Sequence, residues 1–343
     1  MSDNEYENRI PHGEVFEVDS FRPEDAKGIA NLFRAVYGDA YPVRIFYDPQ
    51  ALRAANEDGT YYSIVARAAD GKVVGAVHLF RSAPFEALYE LGSGLVLQEY
   101  RNLGLNRRMF EFAFEQWVPR REGIEEVWGE PVCNHVINQK AVVDFRYIET
   151  ALEVALMPAE AYDREKSASG RVAALSAFRC YRPKPCTVYL PSVYEKELTF
   201  LYSALDDERT ILISDRSLPE SVKSHADTTV FDFAGVCRTA MHSTGSDFDS
   251  YIREIETTAR DRKVVVFQVW LNLSSPWVGA AADVLRDRGY FLGGLLPRWF
   301  DEDGLLMQKI LTDPDFESVR LYSDRAKQIF AMVKEDWLRT RRG

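Results

Sequence analysis

Apolar positions along the chain recur at two spacings, one of strands and one of helices. Val15 to Phe21 alternates as a strand does, and Arg22-Pro23-Glu24-Asp25 then opens a helix, with acids at its positive end. Ala26, Ile29, Ala30, Leu32, Phe33 and Val36 make its apolar face. Asp48-Pro49 opens a short second helix that runs through Leu52 to Ala55 and stops at Asn56-Glu57-Asp58-Gly59. Strands at Tyr61 to Ala66 and Val73 to Phe80 flank Asp70-Gly71, a hairpin signal. Leu88 to Leu97 predicts a third strand of this group. The helix after it carries Leu105, Met109, Ala113 and Trp117 on one side and closes at Gly123. A strand at Ile124 to Val132, a helix at Ile137 to Tyr147 and a strand at Thr150 to Met157 complete the order βααβββαβαβ.

A second series follows the polar stretch Glu165 to Gly170. Strands are expected at Arg171 to Phe178, Thr187 to Leu190, Thr229 to Ala240 and Val264 to Leu273, with helices at Val193 to Leu205 and Asp247 to Arg262. Ser275-Pro276 reads as the cap and first position of a helix ending at Gly289. A strand pair, Phe291 to Leu296 and Gly304 to Leu311, precedes an amphipathic helix at Ser323 to Arg339. Both series end a strand in similar words, Leu156-Met157-Pro158 and Leu295-Leu296-Pro297, a weak sign of duplication. The expected layout is a polar arm at 1–13, one domain at 14–160 and a second at 161–343. The fold class is α/β (α+β), a mixed sheet flanked by helices, repeated in tandem.

Composition narrows the function. Among 343 residues, 42 basic and 53 acidic side chains give a net charge of −11, which argues against a general binder of nucleic acid or anionic membranes. The four cysteines show no metal-type spacing, and free thiols in a reducing cytoplasm are expected. The chain begins with polar and acidic residues rather than a secretory leader, and no apolar run is long enough to span a bilayer. No metal is implied, and the oligomeric state stays open.

The candidate chemistry lies where the strand ending at Leu97 meets its helix. Arg101-Asn102-Leu103-Gly104-Leu105-Asn106 forms a short loop that opens into that helix. Amides in such a turn, with the helix dipole behind them, suit a phosphate. Together with Glu90, Val96 and Tyr100, this order resembles motif A of the GNAT superfamily of N-acetyltransferases, whose phosphate loop reads Gln/Arg-x-x-Gly-x-Gly/Ala; the last position here is Asn106. Asn138, Ala141 and the aromatic at 145 resemble its motif B, with Phe145 where that family often has a tyrosine acid.

The resemblance spans roughly residues 14–158 and implies acetyl-CoA as co-substrate. It implies that the backbone of Leu95, Val96 and Leu97 bonds the pantetheine arm. The amides of Asn102, Leu103, Gly104, Leu105, Asn106 and Arg107 would hold the pyrophosphate, beside Arg101, and Asn138 would touch the cofactor. Arg107 and Arg108 either add charge near a phosphate or form a solvated helix face. Glu90 is the expected general base, with Glu130 a lesser candidate, Ser93 and His135 as relays, and Tyr147 as a stand-in acid or a packed core residue. The implied activity is acyl transfer to a primary amine of a small molecule. A rival reading is a non-catalytic acyl-CoA sensor, and a pure scaffold is a third. The second domain would be a degenerate copy, since Arg238 to Ser246 lacks the Arg-x-x-Gly pattern.

Overall fold

Helical periodicity in the first quarter of the chain becomes α1 (Asp25–Tyr37), which buries Ala26, Ile29, Ala30, Leu32 and Phe33. This computed structural model describes residues 15–158 and 170–341. The predicted arm at 1–13 and the linker at 165–169 lie outside them. The protein is of mixed α/β class and divides into two compact units, Met1–Ser82 with Tyr89–Val127, and Ala83–Leu88 with Trp128–Gly343.

The first unit sets four antiparallel strands side by side: β1 (Glu17–Ser20), β2 (Tyr61–Arg67), β3 (Val73–Arg81) and β4 (Leu88–Val96). The Asp48 carboxylate accepts the amides of Gln50 and Ala51 at 2.9 and 3.1 Å and so starts α2 (Pro49–Asp58). Gly59, at φ 78°, ends it. The helix after β4 begins as α3 (Leu105–Glu111), widens into a π-helical stretch at Phe112–Trp117 and tightens at Val118–Arg120. A buried ion pair joins α1 to the sheet: Arg67 Nε donates to Asp25 Oδ1 at 2.8 Å, and both side chains are only 4% exposed. Asp25 also accepts the Arg22 amide at 2.7 Å.

Between the series lie β5 (Glu126–Gly129) and α4 (Ile137–Asp144). The second unit contains β6 (Ile148–Pro158), β7 (Arg171–Cys180), β8 (Cys186–Pro191), α5 (Glu195–Tyr202) and β9 (Arg209–Ser214). It continues with β10 (His225–Phe231), β11 (Val236–Ser243), α6 (Phe248–Asp261), β12 (Val266–Asn272) and α7 (Val278–Asp287). It closes with β13 (Phe291–Leu296), β14 (Gly304–Ile310) and α8 (Asp324–Arg339). Its main strands run in the order β7-β6-β13-β14-β12-β11-β10, and β8 pairs with β9 separately. The β11–β12 pair is parallel. Gly294, at φ 139°, lets β13 meet β6, because a Cβ there would lie 2.4 Å from the Thr150 carbonyl oxygen. Trp299 is packed in the core, edge-on to Trp128 and Trp270 at 4.9 and 4.7 Å.

Two sequence expectations need correction. The single strand at Thr229 to Ala240 is a hairpin of β10 and β11, turned at Asp232 to Gly235, with Gly235 at φ 61°. Ser275 does not cap α7 with its side chain; its carbonyl accepts the Val278 amide at 3.0 Å and the helix starts after Trp277.

Removing Asp25 leaves the Arg67 guanidinium buried without its carboxylate. Asp25→Ala is expected to cost about 3–5 kcal/mol in urea denaturation. A loss under about 1 kcal/mol would show that the pair does not pin α1.

Candidate active site

Strand β4 contains one residue more than its partner requires. His78 pairs with Gly92 and Ala76 with Leu95, so Ser93 and Gly94 together oppose Val77. Ser93 adopts φ 51° to make this bulge. The surplus residue shifts the alternation, placing Glu90 and Gly92 before it and Leu95 after it on one face.

That face is lined with rings. Across the sheet Tyr61 pairs with Phe80 and Phe80 with Glu90, while Ser63 pairs with His78 and His78 with Gly92. The Glu90 carboxylate and the Phe80 ring converge over Gly92: a Cβ on that glycine would lie 3.3 Å from Glu90 Oε1 and 3.2 Å from the ring. From above, Phe33 stacks on Phe46 at 4.2 Å and Tyr41 tilts against Phe33 at 5.0 Å. The Tyr41 hydroxyl hydrogen-bonds the Ser93 hydroxyl at 2.8 Å. Burial pushes the Tyr41 phenol up to about 12, helped by the charges of Tyr37, Glu90 and Tyr61 and opposed by the Ser93 bond. Burial, then the Glu90 charge, also raises Tyr61. Both phenols therefore stay protonated at neutral pH and able to donate.

His78 is fully buried, and its Nδ1 lies 2.8 Å from Ser63 Oγ. Asn56 Oδ1 accepts the Ser63 amide at 2.9 Å and so steadies that hydroxyl. Among the described residues nothing bonds His78 Nε2. Desolvation pushes this histidine down to about 3, so it is neutral at working pH.

The predicted phosphate loop begins where β4 ends. Leu97 donates to the Val74 carbonyl at 2.9 Å, and a short turn at Gln98–Tyr100 follows. Asn102 and Gly104 take φ 66° and 73°, which aims successive amides outward. Gly104 is the residue before α3, no side chain caps that helix, and a Cβ on Gly104 would meet only open space. Among the described residues, none accepts a hydrogen bond from the amides of Asn102, Leu103, Gly104, Leu105 or Asn106. The side chains of Arg101, Asn106, Arg107 and Arg108 are exposed, though Arg101 Nε reaches the Val96 carbonyl at 3.3 Å and Arg108 the Phe16 carbonyl at 2.8 Å. Asn106 Oδ1 comes within 3.9 Å of where a Gly94 Cβ would sit. The loop and the bulge are therefore neighbours. Leu95 and Leu97 bury their side chains, and Val96 is half-buried.

The other predicted residues belong to the second unit. Asn138 is exposed on α4. Its neighbour Gln139 is buried and donates to the carbonyls of Val132, His135 and Arg320, a structural role that the spacing did not reveal. Glu130 is bound by Arg238 at 2.5 Å, and Arg238 also holds Glu153 at 2.8 Å. An ion-paired carboxylate is a poor base, which counts against Glu130. Tyr147 and Phe145 are core residues, and His135 is half-buried before α4. His242 bonds Asp227 at 2.7 Å, while the Ser243 hydroxyl donates to the Lys223 carbonyl; the two form no nucleophile–base pair.

The stretch 238–246 differs from the first loop in its amides. Gly245 N–H donates to Ser224 Oγ at 3.1 Å and Ser246 N–H to the Pro219 carbonyl at 3.0 Å. Asp247, which precedes α6, accepts the Ser224 amide and hydroxyl. These groups satisfy the turn from within.

Tyr41 is the site residue that sequence reasoning missed. It lies in the irregular loop from Tyr37 to Tyr47, where no spacing ties its hydroxyl to Ser93. Gly92-Ser93-Gly94 was the available sign of the bulge, since glycine inside a strand marks such irregularity.

No protein-family model and no curated protein matches the chain. Among solved structures, about half of the chain is similar to N-acetyltransferases. The ribosomal-protein-S18-alanine N-acetyltransferase of Escherichia coli aligns at 15% identity over 49% of this chain and 95% of its own, with a TM-score of 0.37. The ribosomal-protein-S5-alanine acetyltransferase of Vibrio fischeri aligns at 14% identity, 48% and 93% coverage and TM-score 0.39. The spermidine/spermine N-acetyltransferase of Vibrio cholerae aligns at 12% identity, 48% and 92% coverage and TM-score 0.38. These likenesses are distant and partial, so what the site does rests on its own atoms. Among the described residues, no helix is long and apolar enough to cross a membrane.

The buried histidine gives the site a pH signature. The folded chain keeps His78 neutral down to about pH 3, whereas an ordinary histidine takes its proton near 6.5. As pH falls, the unfolded state gains that proton first. Stability from this residue is complete above about 6.5 and drains away between 6.5 and 3. His78→Gln is expected to flatten the stability–pH curve in that window by about 1.4 kcal/mol per pH unit. Urea denaturation at pH 6.5, 5.5 and 4.5 checks this; parallel curves would contradict it.

Proposed function

We propose that this protein is a CoA-dependent acyltransferase that moves an acetyl or other short acyl group to a primary amine of a small molecule. The observation that carries the reading is the row of amides from Asn102 to Asn106 that meet no acceptor among the described residues, around an open Gly104 and beside the bulge of a strand that carries Glu90. Such amides at a helix start have the polarity and spacing a diphosphate requires. Arg101 and Arg107 would add charge at its rim.

Bound acyl-CoA supplies the acyl group as an activated thioester. Glu90 takes a proton from the incoming ammonium, because nitrogen attacks only once its lone pair is free. The bulge leaves β4 locally irregular beside that point, and the partly buried rings of Tyr41, Tyr61 and Phe80 line the face around it. The freed nitrogen attacks the thioester carbonyl, the C–S bond breaks as the amide forms, and the departing thiolate would take a proton through the Ser93 hydroxyl, which bonds Tyr41. Phe145, standing where the resembling family often has a tyrosine, has no proton to give and is buried. That observation favours the second reading, a sensor that binds acyl-CoA without turnover.

Calorimetric titration with acetyl-CoA is expected to give one site per chain, since the turn at Gly245 and Ser246 is already satisfied. Absence of binding would end both readings, and two equivalent sites would overturn the assignment of the second turn. Thiol release with a panel of amines then separates enzyme from sensor. Glu90→Gln should cut the rate at least about tenfold and change the acid limb of the pH–rate profile. An unchanged profile would remove Glu90 from the mechanism.

A further inference from the structure

Strand β9 has a partner on one side only. It pairs in parallel with β8, from Arg209 opposite Cys186 to Ser214 opposite Pro191, and the pair forms a sheet of its own. The Cys186 amide donates to the Glu208 carbonyl at 3.0 Å, which fixes the alternation along β9. Glu208, Thr210, Leu212 and Ser214 turn their backbone groups to β8, so Arg209, Ile211 and Ile213 turn theirs outward. Among the described residues no strand pairs with that outer edge.

Sheet edges are commonly blunted by lysine, proline or a bulge. This edge has none of them: Ile211, Leu212 and Ile213 follow one another in unbroken register and are 42%, 43% and 41% exposed. Arg209 does not guard it, because Asp207 and Asp303 hold its buried guanidinium at 3.1 and 2.6 Å.

The exposed charges lie just outside the strand and are opposite in sign. Glu208 precedes it and Arg216 follows it, and among the described residues neither side chain has an ion-pair partner. Leu212 stands midway between them in the sequence. An antiparallel copy of the same strand, placed with Leu212 facing Leu212, therefore sets each Glu208 opposite an Arg216. The same register lets Ile211 exchange both backbone bonds with Ile213, and Arg209 with Asp215. Sliding the copy one way sets Asp215 against Asp207, and sliding it the other way sets Glu208 against Leu218. A two-fold interface demands this kind of self-complementarity, which a strand of unrelated sequence has no reason to meet.

We propose that β9 is the surface on which a second copy of this chain docks, by antiparallel β9–β9 pairing about Leu212. Main-chain bonds and the Ile211, Leu212 and Ile213 side chains supply the affinity, and the Glu208–Arg216 pairs fix the register. The docking is independent of the loop at 102–106 and of the transferase reading.

Sedimentation velocity of the full chain over a range of concentrations is expected to show a monomer–dimer equilibrium. Glu208→Arg alone and Arg216→Glu alone set like charges opposite each other at both ends, and each should weaken the dimer at least about tenfold. The double variant should restore it. Leu212 meets its copy as a non-hydrogen-bonded pair, in which Cα atoms lie about 4.5 Å apart, within disulfide reach. Leu212→Cys should therefore cross-link two copies under mild oxidation, as the unmutated chain should not. A chain that stays monomeric at every concentration would overturn the proposal and leave the edge to a strand of another protein. A dimer indifferent to the single reversals, a double variant that fails to restore pairing, or a Leu212→Cys chain that does not cross-link would overturn it equally.

Discussion

The surplus residue in β4 is the constraint on which the site depends. Two residues, Ser93 and Gly94, oppose Val77 alone. A regular strand would carry Glu90, Gly92 and Gly94 on one face and send Leu95 to the other. The bulge instead brings Leu95 onto the face of Glu90 and turns Ser93 toward Tyr41. The strand then leads to Asn102 and Gly104, whose positive φ angles accompany a run of amides that meet no acceptor among the described residues. A buried orphan amide is costly, but an exposed one is satisfied by water and available to an anion. The strand's irregularity and the loop's open amides therefore form a single device.

The surroundings hold that device in place. The Arg67–Asp25 pair anchors α1, and α1 carries Phe33 over the site. His78 fills the floor as a neutral ring bonded to Ser63, and the Asn56 contact to Ser63 ties that floor to α2. Burial keeps His78, Tyr41 and Tyr61 uncharged at neutral pH. The second unit has a turn of comparable position before α6 but closes it with Ser224 and the Pro219 carbonyl. We propose that it is a degenerate copy whose amides have been taken over by its own chain.

The sequence was most legible where periodicity was strict. The apolar set of α1 was readable residue by residue, and the Asp70-Gly71 hairpin and the Asp48 cap announced themselves through turn and cap chemistry. Legibility failed where a turn sat inside a run that still looked like a strand. Asp232 to Gly235 was passed over because Thr229 to Ala240 keeps enough apolar character to read as continuous. Ser275-Pro276 misled because a serine before proline often caps a helix, whereas here the chain makes one more turn first. In the site, Glu90 and the Gly104 loop were visible as residue types in order. Tyr41 was not, because an irregular loop has no period from which a partner 52 positions away can be inferred.

Hydrogen exchange at the loop tests the central claim most directly. The amides of Asn102 to Asn106 should exchange rapidly in the protein alone and become protected when CoA is added, with smaller changes at Gly245 and Ser246. Amides already slow without ligand, or still fast with CoA bound, would contradict the account.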